Sequence, residues 1–134
     1  MLRSIKLTTT LSTFCMPHEG DIVRQSVTVK RDGRWWLTEY EWTKDFEIRA
    51  IGTRQHRTSA EKAAEILDAV EKKDFSEEWY LMDAGGYVLK KVLEDGTSEM
   101  AEGCMSGSGA MLGDLDLSEL MRKNLGDDGL FAFG

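Results

Sequence analysis

Cysteine and histidine are both scarce in this chain, with two of each among 134 residues. A small secreted domain stapled by disulfides usually carries four or more cysteines. Cys15 and Cys104 therefore read as reduced thiols, and the expected location is the cytoplasm. Cations are outnumbered as well: 17 Lys and Arg stand against 24 Asp and Glu, for a net charge of −7. That shortage argues against non-specific nucleic-acid binding, which needs clustered Lys and Arg to displace counterions from phosphates. An acidic surface also repels anionic membranes and suits a basic partner. No stretch approaches the roughly 18 apolar residues of a membrane span. The opening Met1–Leu11 resembles a signal peptide only superficially, because Lys6 and Thr8, Thr9 and Thr10 break its apolar run and no small-residue cleavage site follows.

What is present points to a globular domain. Hydrophobic residues make up 41% of the chain and charged residues 31%, proportions that exclude a disordered or membrane-embedded polymer. A chain of this length buries roughly two-thirds of its unfolded surface, so a single α+β domain over 1–134 is expected, without internal repeats or a long linker.

The first half alternates with the period of strands. Ile5, Leu7 and Leu11 face one way over residues 2–14, and Val23, Val27 and Val29 do so over 22–31. Pro17–Asp21, Asp32-Gly33 and Thr43–Asp45 supply turns, and 34–42 and 46–54 complete an antiparallel meander. Thr58 with Glu61 predicts a capping box opening a helix whose apolar stripe is Ala60, Ala63, Ala64, Leu67 and Val70. Further strands are predicted over 79–83, 87–93 and 97–101, with Asp95-Gly96 as another hairpin signal. Residues 102–113, rich in Gly, Ser and Met, read as a mobile loop. Asp116 and Glu119 open a second helix with Leu117, Leu120, Met121 and Leu125 inward and Gly126 as its stop. The expected architecture is a curved antiparallel sheet of six or seven strands, tending towards a partial barrel. One central helix packs on its concave side, and the C-terminal helix and tail seal one end.

Motifs for chemistry fail on their details. Gly103, Gly107, Gly109 and Gly113 precede a helix as a phosphate loop would, but Leu112 stands where a dinucleotide fingerprint needs glycine. No Lys-Ser/Thr end follows, and Asp114 and Asp116 repel an anion there. Asp114-x-Asp116-x-Ser118 begins like a calcium loop, but Glu119 and Leu125 occupy the positions that need Gly and a bidentate carboxylate. Cys15, His18, His56 and Cys104 would make a Cys2His2 zinc set with only one close pair. Cys104 lacks the basic surroundings that activate a nucleophile, and Gly103–Gly107 places its Ser one position late for a nucleophile elbow. No catalytic residue, cofactor or metal is assigned.

The aromatic strand is the most informative segment. Trp36, Thr38, Tyr40 and Trp42 alternate with Trp35, Leu37, Glu39 and Glu41. Glu39 and Glu41 lie about 6.6 Å apart along the strand, a spacing seen between glycosidase carboxylates, but neighbours on one strand rarely flank a bond from two directions. The expected place for Trp36, Tyr40 and Trp42 is the core, with Glu39 and Glu41 solvated; the alternative is an exposed binding face. Arg49, Arg54, His56 and Arg57 form the one basic cluster, expected to balance the acidic helix that follows. Leu130, Phe131 and Phe133 are expected to fold back as a last core layer rather than join another subunit.

Two function classes follow. The first is a non-catalytic interaction or accessory module, with a protein partner or a second copy of itself and neither nucleic acid nor membrane. The alternative is a small-molecule binder or small enzyme using a pocket between sheet and helix, with Glu39, Glu41 or the arginines as polar anchors.

Overall fold

The computed structural model describes residues 1–10, 17–72, 86–106, 109–112, 115–127 and 130, with 102–106, 109, 111 and 112 described by backbone alone. In chain order the elements are β1 (Leu2–Thr10), β2 (Ile22–Lys30), β3 (Arg34–Trp42), β4 (Ile48–Arg57), α1 (Ala60–Glu71), β5 (Gly86–Leu93), β6 (Ser98–Ser106), β7 (Gly109–Leu112), β8 (Leu115–Asp116) and α2 (Leu117–Leu125). The strand order is β4-β3-β2-β1-β5-β6-β7-β8, and every neighbouring pair is antiparallel. Six long strands carry the sheet and two short ones extend its far edge. The sheet is open rather than closed into a barrel, since β4 and β8 stand at opposite ends of the order. The architecture is α+β, with one central and one C-terminal helix.

Strand alternation directs one set of side chains to a single core. Ile5, Leu7, Val27, Val29, Trp35, Leu37 and Leu89 from the sheet meet Ala63, Ile66, Leu67 and Val70 of α1 and Leu117, Met121 and Leu125 of α2. Both helices therefore cover the same face. Each large apolar side chain hidden there contributes roughly 1.5–3 kcal/mol relative to exposure. Leu130 joins this core, whereas Phe131 and Phe133 lie outside the described residues. Around central β1, the chain twice follows a meander with a helix: β2–β3–β4–α1 on one side and β5–β6–β7–β8–α2 on the other. This recurrence of order has no counterpart in residue identity.

Local chemistry explains most boundaries. The hairpin turns at Gly33 and Gly96 both use positive φ, at 101° and 88°, angles that glycine adopts without strain. Asp95 accepts hydrogen bonds from the backbone N–H and the hydroxyl of Thr97 at 3.0 and 2.6 Å, bracing the second hairpin. Asp116 caps α2 by accepting from the Glu119 N–H at 3.1 Å, and Gly126 ends it in the left-handed region at φ 70°.

Several expectations are corrected. The N-cap of α1 is Ser59, which accepts from the Lys62 N–H at 3.1 Å. Thr58 instead donates its hydroxyl to the Asn124 carbonyl at 2.8 Å, joining the start of α1 to the end of α2. Ile66 takes the stripe position expected of Ala60, which is exposed. Residues 102–106 and 109–112 are strand rather than loop, because a ladder pairs backbone with backbone and needs no side-chain period. β4 starts and ends later than expected, after a Thr43–Glu47 turn in which Phe46 sits at φ 61°. The strand expected over 79–83 lies outside the described residues.

Gly33 couples the two layers. Its carbonyl accepts from the Thr58 N–H at 2.8 Å, and a Cβ at this position would lie 2.2 Å from the Thr58 carbonyl oxygen. Replacing Gly33 with Ala imposes both the left-handed strain and a backbone clash. We expect it to destabilise the fold by at least about 2 kcal/mol, measured by urea denaturation, whereas Gly96→Ala meets only the strain, since no atom lies within 4 Å.

Candidate binding face

β3 decides which side of the sheet is available. Trp35 (3% exposed) and Leu37 (4%) point into the core, and Trp36, Thr38, Tyr40 and Trp42 occupy the opposite face, half-buried. The expectation that Trp36, Tyr40 and Trp42 build the core is thus overturned. Both alternating sets of this strand contain tryptophan, so β3 by itself does not choose its inner side. Its neighbour does: Val27 pairs with Leu37 and Val29 with Trp35, and the buried valines of β2 draw those partners inward. Counting back from the Asp32-Gly33 turn was the signal that exposes this register.

The outer face has a consistent character. Lys30 Nζ lies 5.3 Å and Arg34 Cζ 5.8 Å from the Trp36 ring centre, and Arg24 Cζ lies 5.4 Å from that of Tyr40. These are distances at which a cation is attracted by the ring quadrupole. Between them run hydroxyls: Thr8 bonds Ser26 at 2.7 Å, Thr38 bonds Thr53 at 2.7 Å, and Thr10 accepts from Arg24 Nε at 3.0 Å. Register places Lys6, Arg24, Lys30, Arg34, Arg57 and Lys90 on this side of β1–β5. No Asp or Glu occupies an outward position on these five strands.

The carboxylates of β3 and Glu99 of β6 face inward and are matched there, while Glu102 of β6 stands in register with outward Val88. Glu39 accepts from Arg54 at 2.6 Å and from Gln25 at 3.2 Å; Glu41 pairs with Arg49; Glu99 pairs with Lys91 at 3.2 Å. Arg49 and Arg54 of β4 thus balance β3, not the acidic helix as expected. Both glutamates are only about a quarter exposed, at 25% and 23%, and each braces a neighbouring arginine rather than facing the other across a cleft. His56 stacks on Trp35 with ring centres 4.4 Å apart. His18 is exposed beside Asp21, in a turn bonded to the Trp42 carbonyl through Gly20. The two histidines therefore sit at opposite ends of β3, on the order of 20 Å apart at the rise of a strand, and cannot share a metal. The Cys15 and Cys104 side chains lie outside the described residues, as do Gly107, Gly113 and Asp114 of the glycine-rich segment. Among the described residues no cluster of His, Cys, Asp and Glu could hold a metal ion, and no helix is long and apolar enough to cross a membrane.

A smaller polar row crosses the inner face where Tyr87, Thr9, Gln25 and Glu39 stand in register. Thr9 is fully buried, and its hydroxyl has no hydrogen-bond partner among the described residues.

With this geometry in hand, comparison with known proteins adds no family: no protein-family model, curated protein or solved structure matches the chain.

Asp32, in the hairpin turn, accepts from the Arg34 backbone N–H at 3.0 Å and pairs with the Arg34 guanidinium at 2.7 Å. The backbone bond first, then the guanidinium, holds its carboxyl below the ordinary value of 3.8. A carboxyl depressed in the folded state stabilises above its unfolded value, and that contribution is lost as pH falls through the folded value. Asp32→Asn should therefore lower Tm near neutral pH, and the gap from the parent should close as pH drops below 3.8, as followed by thermal melts across the acid range.

Proposed function

We propose that this protein is a non-catalytic interaction module whose outer sheet face receives an acidic protein surface. One observation carries the reading: in a chain of net charge −7, the outward positions of β1–β5 carry cations and no carboxylate. The overall acidity had suggested a basic partner, but a binding surface is defined by its own charge rather than by the molecular total. Trp36 and Tyr40 add large, rigid contact area between the cations, a composition favoured where a few residues dominate binding. The acidic residues of α1 lie with the covered face, and they oppose a long polyanion that would wrap beyond the sheet. A protein partner, with neither nucleic acid nor membrane, is accordingly the class proposed, in a cytoplasmic setting.

The second reading is a small-molecule site between sheet and helices. The buried Thr9 hydroxyl, unpartnered among the described residues and beside Gln25 and Tyr87, favours it, since such a group is costly unless something bonds it.

Lys6 and Lys30 are exposed and outward. The double substitution Lys6→Glu and Lys30→Glu should leave the circular dichroism unchanged and reduce recovery of an acidic partner by about tenfold or more. Quantitative affinity capture from the source cell, with parent and variant side by side, tests it. Undiminished recovery by the variant, or a co-purifying small molecule in place of a protein, would sink the reading.

A further inference from the structure

Among the described residues the sheet ends in a long unpaired edge. β4 bonds to β3 on one side and stands first in the strand order, and every residue after Ile48 is exposed. A strand at such an edge presents unpaired N–H and C=O groups that can template another chain. A register shift between Glu39 and Tyr40 interrupts pairing near Ile51, so the regular part of the edge is Gly52–Arg57. That stretch reads Gly-Thr-Arg-Gln-His-Arg: it carries Arg54, His56 and Arg57 and no carboxylate.

Charge selects the occupant. Two copies joined antiparallel about Arg54 would set Arg54 of one against Arg54 of the other, and joined about Gln55 would set Arg54 against His56. Like charges facing across a ladder are destabilising. A basic extended segment is rejected on the same ground. An acidic extended segment reverses the sign at each contact. Arg54 is 65% exposed and its bond to Glu39 runs through one guanidinium nitrogen, so further donors of this fork remain for a second carboxylate.

We infer, resting on the proposed function above, that the partner supplies an extended acidic segment that adds to β4 as a further antiparallel or parallel strand along Gly52–Arg57. Main-chain hydrogen bonds then supply affinity and alternate carboxylates supply selectivity, as in other cases of strand addition. The outer face, with Arg57 at its margin, holds the remainder of the partner.

The test uses the whole protein and a fluorescein-labelled ten-residue peptide of alternating Glu and Thr. Controls are the Lys-Thr peptide and a Glu-Thr peptide N-methylated at every residue, which keeps the charge but lacks backbone N–H donors. Anisotropy should show saturable binding of the Glu-Thr peptide, weaker by about tenfold or more for both controls and for Arg57→Glu. Hydrogen exchange should slow in residues 52–57 when the Glu-Thr peptide is added. Equal binding of the N-methylated peptide overturns strand addition. Protection confined to β1–β3 and abolished by the Lys6→Glu, Lys30→Glu pair also overturns it, while leaving the outer-face reading intact. Absence of binding by both acidic peptides, or a dimer already protecting 52–57 without peptide, overturns the inference as well.

Discussion

Both helices of this protein lie on one side of its sheet, and most other features depend on that one-sided cover. A strand offers its side chains alternately to two faces, so covering one face commits half of each covered strand to the core and releases the other half, while edge strand β4 stays exposed. Val27, Val29, Leu37 and Leu7 are committed; Thr28, Trp36, Thr38 and Lys6 are released. The contact between Gly33 and Thr58, and the hydroxyl of Thr58 on Asn124, fix where the helices sit on that face. The chemistry left on the uncovered side is therefore a by-product of packing on the covered one.

Charge is sorted by the same division. Three carboxylates that enter the strands, Glu39, Glu41 and Glu99, turn inward and meet Arg54, Arg49 and Lys91, whereas Glu102 of β6 stands in register with outward Val88. Exposed pairs of this kind contribute little to stability, typically up to about 1 kcal/mol. Their larger effect is to keep negative charge off the outer face of β1–β5. An acidic chain thereby presents a cationic surface, which its net charge conceals.

Features set by a few adjacent residues were legible in the sequence. The hairpins at Gly33 and Gly96, the cap at Asp116, the stop at Gly126 and the alternating valines of β2 all stand where the residues predict. What required two elements at once was not. Trp35 and Trp36 are equally apolar, and only pairing with Val29 distinguishes them. Thr58 and Ser59 are both good caps, and the pull of Asn124 on Thr58 leaves the cap to Ser59. β6 and β7 extend through a Gly- and Ser-rich stretch whose pairing comes from the backbone alone. The cationic outer face was hidden for a similar reason: its lysines and arginines are scattered from Lys6 to Lys90 and gather only through strand register.

The central strand has a consequence in time. β1 pairs with β2, which follows closely, and with β5, which begins at Gly86. Contacts between segments so far apart raise the contact order, and such topologies fold slowly compared with local ones. As the chain leaves the ribosome, β1–β4 can assemble first, with one side of β1 still open until β5 emerges. The hydrophobic inner residues Ile5 and Leu7 are then only half enclosed, the kind of exposure through which nascent chains associate wrongly. The arginine-rich edge at β4 guards one border of this early intermediate, and the other border has only the arrival of β5.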